Sequence, residues 1–224
     1  MQHSRSIPEL PQLRDGVQLL ETDGRATGPL HALVLDHLLL EGGSAVWIDA
    51  DGHGTSVHLA EVAPAKRVLD RIHIARGFTA YQHRALVRNA VEALTGETSL
   101  MVVPAVDARY RDEDIRGAEP EELLLQTLSR LARYAREREL PVLATRTAAD
   151  AFSAPVERLA TSVIEVEQTA FGPRFRGPDF ETLVYPERGP TVQTTLTYWA
   201  RILGARRPLH EAQGAQQPTA RVSP

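Results

Sequence analysis

Short apolar segments that alternate with helical segments are the feature that most limits what this chain can fold into. Five segments are apolar and uninterrupted enough to be strands: 17–21, 44–50, 72–75, 99–105 and 140–146. Three longer segments between them have the pattern of helices: 29–42, 80–96 and 119–139. Apolar strands separated by helices are typical of a parallel sheet covered on both faces. The sequence therefore predicts an α/β fold with a mostly parallel central sheet and helices on both sides of it.

The pattern changes after about residue 160. Segments 161–169 and 180–186 are strand-like and enclose a loop-like stretch, AFGPRFRGPDF, that is rich in Gly, Pro and Arg. This arrangement predicts an antiparallel edge on the C-terminal side of the sheet. Residues 208–224 are small, polar and Pro-containing, so we expect a disordered tail after a single core domain over residues 1–207.

Composition excludes several classes of protein. The chain has no cysteine, which rules out disulfides, thiolate catalysis and Cys-based zinc sites, and makes the cytoplasm the default location. No apolar run approaches the length of a transmembrane helix, so no membrane contact is expected. The formal net charge of −4 predicts no bulk attraction to nucleic acid, and Lys66 is the only lysine. Trp47 and Trp199 are expected to be packing residues.

The stretch LLETDGRATGPLHAL, residues 19–33, has the strand–loop–helix context of a phosphate-binding loop of the G-x-x-x-x-G-K-[ST] kind. It contains no lysine, and its candidate residues are Asp23, Gly24, Arg25, Thr27 and Gly28. Asp-Gly is also well suited to an ordinary turn. Two interpretations stay open: a scaffold turn without tight nucleotide binding, or a weak phosphate site to which Arg25 contributes.

Asp49 and Asp51 lie where a predicted parallel strand ends, which is the edge at which open α/β sheets bind ligands. Their carboxylates can cap the loop DADGHGTS by accepting backbone hydrogen bonds. With His53 and His58 nearby, a metal site is the alternative, although the spacing matches no defined metal motif. The capping role is the favoured interpretation, and no metal is expected.

Arginines supply further polar candidates. Arg111, in VDARYRDEDIRG, has acidic neighbours, so an ion-pair cluster is favoured over contact with DNA. Arg174 and Arg176 flank Phe175 in the Gly- and Pro-bounded stretch. An arginine beside an aromatic ring suits backbone contact plus base stacking on single-stranded DNA, and a basic hairpin turn is the structural alternative.

Four segments occur in the order and spacing of one protein family: AVWIDAD (45–51), RVLDRIHIARGFTAYQHRALV (67–87), SLMVVPAVDARYRDED (99–114) and ARERELPVLATRTAADAF (135–152). They resemble, in turn, the second strand with its acidic end, the strand and helix before the second nucleotide motif, the Walker B strand, and the helix and strand before the DNA-binding loop. Over residues 8–170 the chain thus resembles the ATPase core of RecA/RadA-type recombinases, especially the archaeal RadA and RadB branch. The resemblance implies a RecA-like P-loop NTPase fold.

The resemblance also implies that the nucleotide site is degenerate. If Gly24 is the middle glycine of the loop, Thr27 replaces the phosphate-binding Lys and Gly28 the magnesium-binding Thr. Pro104 stands where the Walker B Asp would be, whereas Asp51 matches the carboxylate that orients water in the RecA branch. Losing two or three charge-assisted contacts costs about 3–9 kcal/mol, or roughly two to six orders of magnitude in affinity. We therefore expect weak or absent binding of ATP and Mg²⁺, and no other cofactor.

Three functions follow from the resemblance. The first is a non-catalytic paralogue that acts in DNA recombination or repair by binding a RadA-type recombinase protomer, single-stranded DNA, or both, with weak DNA affinity. The second is a weak ATP-binding protein in which Arg25 and Asp51 sustain slow hydrolysis, with Arg146 where the family places a polar nucleotide sensor. The third is a regulatory protein that keeps the fold and has no connection with DNA.

Overall fold

The computed structural model describes residues 7–22, 26–112, 117, 119–170, 172–184 and 196–216. In this part of the chain the strands are β1 (Gly16–Thr22), β2 (Ser44–Asp49), β3 (Ile72–Arg76), β4 (Thr98–Val103), β5 (Pro141–Ala144), β6 (Ser162–Thr169), β7 (Gly172–Gly177) and β8 (Phe180–Leu183). The α-helices are α1 (Thr27–Glu41), α2 (Ser56–Val62), α3 (Ala80–Ala93), α4 (Glu119–Arg138), α5 (Ala154–Leu159), α6 (Leu196–Ala205) and α7 (Arg207–Gln216). Short 3₁₀ helices span Lys66–Arg71 and Ala108–Arg111.

These strands form one sheet in the order β3-β2-β4-β5-β1-β6-β7-β8. Neighbouring strands from β3 to β6 are parallel, and β7 and β8 add to the sheet in antiparallel fashion. The predicted α/β fold, with its mostly parallel sheet and antiparallel C-terminal edge, is confirmed. Because β1 lies between β5 and β6, the carboxyl end of β1 lies inside the sheet and not at either edge strand.

Two apolar layers cover the sheet, and strand residues alternate between them. Leu20 and Trp47 belong to the layer formed with α1, α2 and α6, whereas Leu19 and Ile48 belong to the layer formed with α3, α4 and α5. Successive strand residues point to opposite faces, so a strand buried on both faces needs an unbroken apolar run. Trp47 and Trp199 are both fully buried, as predicted.

Helix α1 is apolar on most of its surface because α6 and α7 pack on it as well as the sheet. Its buried Asp36 accepts hydrogen bonds from Nε and Nη2 of Arg206 at 2.7 and 2.8 Å and from Nε2 of His210 at 2.8 Å. Burial alone would raise the pKa of Asp36, but the hydrogen bonds from His210 and Arg206 hold that pKa below its ordinary value. Neither α1 nor any other helix in the described ranges is long and apolar enough to cross a membrane.

The prediction of a disordered tail that starts at residue 208 is wrong for the first part of that tail. Residues 207–216 form α7, and His210 lies buried against α1. The physical reason is the buried carboxylate of Asp36, which needs hydrogen-bond donors that the start of the polar segment supplies. Residues 217–224 lie outside the described residues.

Candidate functional site at the carboxyl edge of the sheet

The carboxyl ends of the parallel strands bring most of the predicted site residues to one edge of the sheet. Asp49 ends β2, Pro104 follows β4 and Arg146 follows β5. Gly28 lies in the first turn of α1, just after the loop that leaves β1. Open α/β sheets bind ligands at this edge. Residues 23–25, which carry the first part of the predicted phosphate loop, lie outside the described residues.

The first turn of α1 packs tightly against the indole of Trp199. A Cβ atom built on Gly28 would lie 2.4 Å from Nε1 and 2.5 Å from Cδ1 of Trp199, closer than real Cβ contacts come. The indole is fully buried, and its ring centroid lies 6.0 Å from that of Phe175 and 5.3 Å from that of Tyr198. The space that a hydroxyl side chain at position 28 would need is therefore filled by the indole.

The start of α1 is also a poor cradle for an anion. Helix N-termini bind phosphate through free backbone N–H groups, helped by the helix dipole. Pro29, the third residue of α1, has no backbone N–H to offer. Ala26 occupies the N-cap position, and its methyl side chain has no hydrogen-bond donor to offer an anion. The turn thus lacks polar side chains other than the hydroxyl of Thr27.

Asp49 is fully buried and caps the loop that follows β2. Its Oδ1 accepts hydrogen bonds from the backbone N–H groups of His53 and Gly54 at 2.9 and 3.3 Å. Its Oδ2 accepts a hydrogen bond from Nε of Arg76 at 2.7 Å, and Nη2 of Arg76 donates to the carbonyl of Gly54 at 3.1 Å. The structure thus gives Asp49 the capping role, while Asp51 lies exposed on the same loop.

Asp107 is a buried carboxylate that the sequence analysis did not single out. Its Oδ1 accepts hydrogen bonds from the backbone N–H and the hydroxyl of Thr147 at 2.7 and 3.1 Å, and its Oδ2 accepts one from Nε of Arg111 at 2.7 Å. This carboxylate therefore ties the segment after β4 to the segment after β5. The sequence marks Asp107 only by its position, which is three residues after Pro104 and close to the carboxyl end of a predicted strand.

Arg111 joins two carboxylates and an aromatic ring. Besides its bond to Asp107, its Nη1 and Nη2 donate to Asp150 at 2.9 and 2.8 Å, and its guanidinium lies 4.8 Å from the ring centroid of Phe152. The hydrogen bonds from Arg111 hold the pKa of Asp150 well below its usual range. The structure places Arg111 in an ion-pair cluster, which was the favoured interpretation of its acidic neighbours.

Arg146 is nearly buried between two glutamates. Its Nε lies 2.6 Å from Oε1 of Glu21, at the end of β1, and its Nη2 lies 3.0 Å from Oε2 of Glu157 on α5. Because Nε and Nη2 both face carboxylates of the same chain, the guanidinium neutralises local negative charge. It also joins the segment after β5 to β1 and α5. The predicted position after a parallel strand is correct, and the side chain is held in these ion pairs.

Phe175, predicted to stack on DNA bases, lies inside the protein. The stretch Arg174–Arg176 belongs to the strand β7 and not to a loop, so its side chains alternate between the two faces of the sheet. Phe175 points into the apolar layer and packs edge-on against Trp199. A fully buried ring cannot stack on a base, so this part of the prediction is wrong.

Arg174 and Arg176 point to the opposite face of β7, where glutamates surround them. Arg174 lies opposite Glu167 on β6, with nitrogen–oxygen distances of 3.9 Å to Glu167 and 3.3 Å to Glu181 on β8. Arg176 lies 3.6 Å from Glu181 and 4.0 Å from Glu165. Oppositely charged pairs across strands stabilise a sheet by about 0.2–1 kcal/mol each. The two arginines thus balance acidic neighbours and do not form an uncompensated basic surface.

The histidines near Asp49 make contacts within the protein. Nε2 of His31, on α1, donates a hydrogen bond to the carbonyl of His53 at 2.8 Å, and the His31 ring lies 6.5 Å from that of His58. Desolvation by burial lowers the pKa of His31 to about 4, so the ring is neutral at physiological pH. Across the described ranges, no group of three His, Cys, Asp or Glu side chains is placed to hold a metal ion.

The sheet order, the two helical layers and the polar residues collected at the carboxyl edge define a RecA-like α/β core. The chain belongs to the Rad51 family, because the family model described as Rad51 matches residues 36–162, more than half of its 224 residues. The match begins inside α1, so β1 and the loop after it lie outside the matched range. Among curated proteins, none matches this chain.

The described polar groups at this edge mainly bind one another. Asp49 is neutralised by Arg76, Asp107 by Arg111, and Glu21 by Arg146. Sequence reasoning missed Asp107 and Arg76 because their roles depend on partners from other strands. A set of internally paired charges holds loops in place, whereas a ligand site needs donors or acceptors that the protein leaves unpaired.

Proposed function

We propose that this chain is a non-catalytic recombinase paralogue that acts in DNA recombination or repair by binding a RadA-type recombinase protomer. The observation that carries the proposal is the indole of Trp199 at Gly28. Nucleotide hydrolysis on this fold depends on cationic and metal-held contacts at the start of α1 and at the end of β4. Here an indole fills the first position, and Pro104 supplies no carboxylate at the second.

A surface near the free edge of β3 supports a role in protein contact. Within the described sheet β3 pairs with β2 alone, so one side of its backbone is open to another strand. Three large side chains near this edge are exposed: Ile74 by 38%, Phe78 by 66% and Tyr81 by 53%. Exposed aromatic residues beside an open strand edge are typical of surfaces to which another chain adds.

The first test is of nucleotide chemistry. We expect the purified chain to show negligible Mg²⁺-dependent ATP hydrolysis and no saturable binding of a fluorescent ATP analogue. The double variant Thr27→Lys, Gly28→Thr should not gain hydrolysis, since Pro104 remains and the new side chain at position 28 collides with Trp199. Turnover by the unmodified chain that Asp51→Ala abolishes would instead support the weak ATPase reading.

The second test is of the partner. A tagged chain expressed in its native organism should recover a RadA-type recombinase, and Phe78→Ser with Tyr81→Ser should reduce that recovery. Val57→Ser is the matched control, because Val57 is also an exposed apolar residue but lies on α2. Recovery of other proteins without any recombinase would favour a regulatory role unrelated to DNA.

A further inference from the structure

The helix α7 is attached to the rest of the fold by one buried side chain. Among residues 207–214, whose exposure the structure describes, His210 is buried and all the others are exposed. Leu209 is the one leucine of α7, and it is 37% exposed. The preceding helix α6 is held differently, since its buried residues are Tyr198, Trp199, Ile202 and Leu203. Burial of apolar surface, which holds α6, therefore contributes little to the docking of α7 on α1.

His210 makes a hydrogen bond with Asp36, the carboxylate that is buried in α1. Its Nε2 lies 2.8 Å from Oδ1 of Asp36. An ionised carboxylate can only accept hydrogen bonds, so Nε2 of His210 is the donor. Hydrogen bonds to an ionised group are about twice as strong as those between neutral groups. No other side chain among residues 207–214 makes a hydrogen bond or an ion pair with the described part of the chain, so this one bond fixes α7 on α1.

Arg206, the residue between α6 and α7, is held in place without help from α7. Its Nε and Nη2 donate to the two carboxylate oxygens of Asp36 at 2.7 and 2.8 Å, and its Nη1 donates to the carbonyl of Pro8. A bidentate pair of this kind has one defined geometry. These three bonds remain when the bond from His210 breaks. The helix α7 can therefore leave α1 while α6 and the segment around Pro8 stay where they are.

The helix α7 is too short to be stable by itself. It spans ten residues, and isolated helices shorter than about 12–15 residues are marginal in water. Gly214 lies within it and lowers its helix propensity further. Loss of the contact with Asp36 therefore also unfolds the helix. Segments with few buried apolar contacts open locally at a lower free energy than the core of a protein.

Separation of α7 uncovers part of the α1 surface around Asp36. Residues three and four positions apart share one face of a helix. On α1 the residues at these distances from Asp36 are Ala32, Leu33, Leu39 and Leu40. The face is thus apolar apart from Asp36, and in the separated state Oδ1 of this carboxylate has lost the donor that His210 supplied.

We propose that α7 acts as a strap, which docks on α1 through the hydrogen bond from His210 to Asp36 and undocks while the sheet and the other helices stay folded. The strap covers the face of α1 around Asp36 when it is docked and opens that face when it is undocked. The inference does not depend on the proposed function, because it uses only contacts within the chain.

The test is native-state hydrogen exchange of the full chain, followed by mass spectrometry of the fragments that carry α1, α6 and α7. In the unmodified chain, amides of α7 should exchange at least about tenfold faster than those of α6, because α7 opens without the core. His210→Leu keeps the bulk of the side chain and removes the donor. It should speed exchange in α7 about tenfold to a hundredfold, and leave α6 and β1 unchanged.

Two further variants separate the hydrogen bond from other effects. His210→Gln keeps an N–H donor near the position of Nε2, so its α7 should exchange more slowly than that of His210→Leu. Glu211→Gln is the matched control, because Glu211 is exposed on α7 without a described partner, and it should leave exchange unchanged.

Three results would overturn the proposal. Equal protection of α7 and α6 in the unmodified chain would mean that α7 opens only with the core. Slower exchange of α7 in His210→Leu than in His210→Gln would mean that apolar burial docks this helix. Equal acceleration of α6 and α7 by His210→Leu would mean that the contact stabilises the whole fold and does not control a strap.

Discussion

Replacing Gly28 with alanine tests the packing that closes the start of α1. A glycine near the start of a helix usually gains stability when it becomes alanine, by up to about 1 kcal/mol. Here the new Cβ would lie 2.4 Å from Nε1 of Trp199, about 1 Å short of an ordinary contact. The indole cannot move cheaply, because it is fully buried between Phe175 and Tyr198. Overpacking of this kind costs about 1–3 kcal/mol.

A double-mutant cycle isolates this contact from other effects. We expect Gly28→Ala to destabilise the chain by about 1–3 kcal/mol when Trp199 is present. In a Trp199→Ala background the same change should be neutral or stabilising by up to about 1 kcal/mol. The coupling free energy is then about 1–4 kcal/mol, although Trp199→Ala itself costs about 3–5 kcal/mol.

The assay is urea unfolding followed by far-UV circular dichroism, since Trp199, one of the two tryptophans, is absent from two of the four proteins and the fluorescence signals would not be comparable. At about 2–4 °C per kcal/mol for a chain of this size, thermal unfolding should show the same order. Gly204→Ala is the control, because Gly204 lies on α6 with nothing within 4 Å of its built Cβ. Stabilisation by Gly28→Ala with Trp199 in place, or equal effects in both backgrounds, would refute the reasoning.

Two further predictions concern the buried ionisable groups. Burial lowers the pKa of His31 and His83 to about 4 from 6.5, so the unfolded chain binds more protons below pH 6.5 and stability falls as pH drops toward 4. At pH 5 each ring should cost about 2 kcal/mol relative to pH 7, and His31→Gln with His83→Gln should flatten this dependence in denaturant titrations. Asp36→Asn should lower the free energy of unfolding by about 3–5 kcal/mol, because it leaves the Arg206 guanidinium buried without a counter-charge. A loss below about 1 kcal/mol would mean that α7 does not depend on this carboxylate.

The first five strands could be predicted because their signal is local. A strand buried on both faces needs a nearly unbroken apolar run, which β2, β4 and β5 have, whereas the edge strand β3 is partly exposed and is marked by Ile72 and Ile74. The strand β7 carries the opposite signal, since GPRFRG looks like a basic turn. Its strand conformation depends on pairing with β6 and β8, where Glu165, Glu167 and Glu181 meet its arginines. The sequence of the β7 segment alone does not show that these glutamates of β6 and β8 will pair with it.

The helix α7 also could not be predicted from its own segment of the sequence. Its composition is polar and small, which is typical of disorder in isolation. The segment orders because Asp36, buried in α1 and distant in sequence, accepts hydrogen bonds from Arg206 and His210. Likewise, Thr27 and Gly28 were visible as departures from the family motif, but the indole over Gly28 comes from α6, which the sequence analysis did not predict.

The pairing at the carboxyl edge has a consequence for any attempt to rebuild a nucleotide site there. Arg76 neutralises Asp49, and Arg111 neutralises Asp107, while both carboxylates are fully buried. Either carboxylate could bind a metal only after its ion pair is broken, and breaking the pair of a buried carboxylate costs about 3–5 kcal/mol before a metal is bound. Total stability of a domain is about 5–15 kcal/mol, so two such losses could consume most of it. Restoring motif residues one at a time therefore lowers stability before any activity can appear.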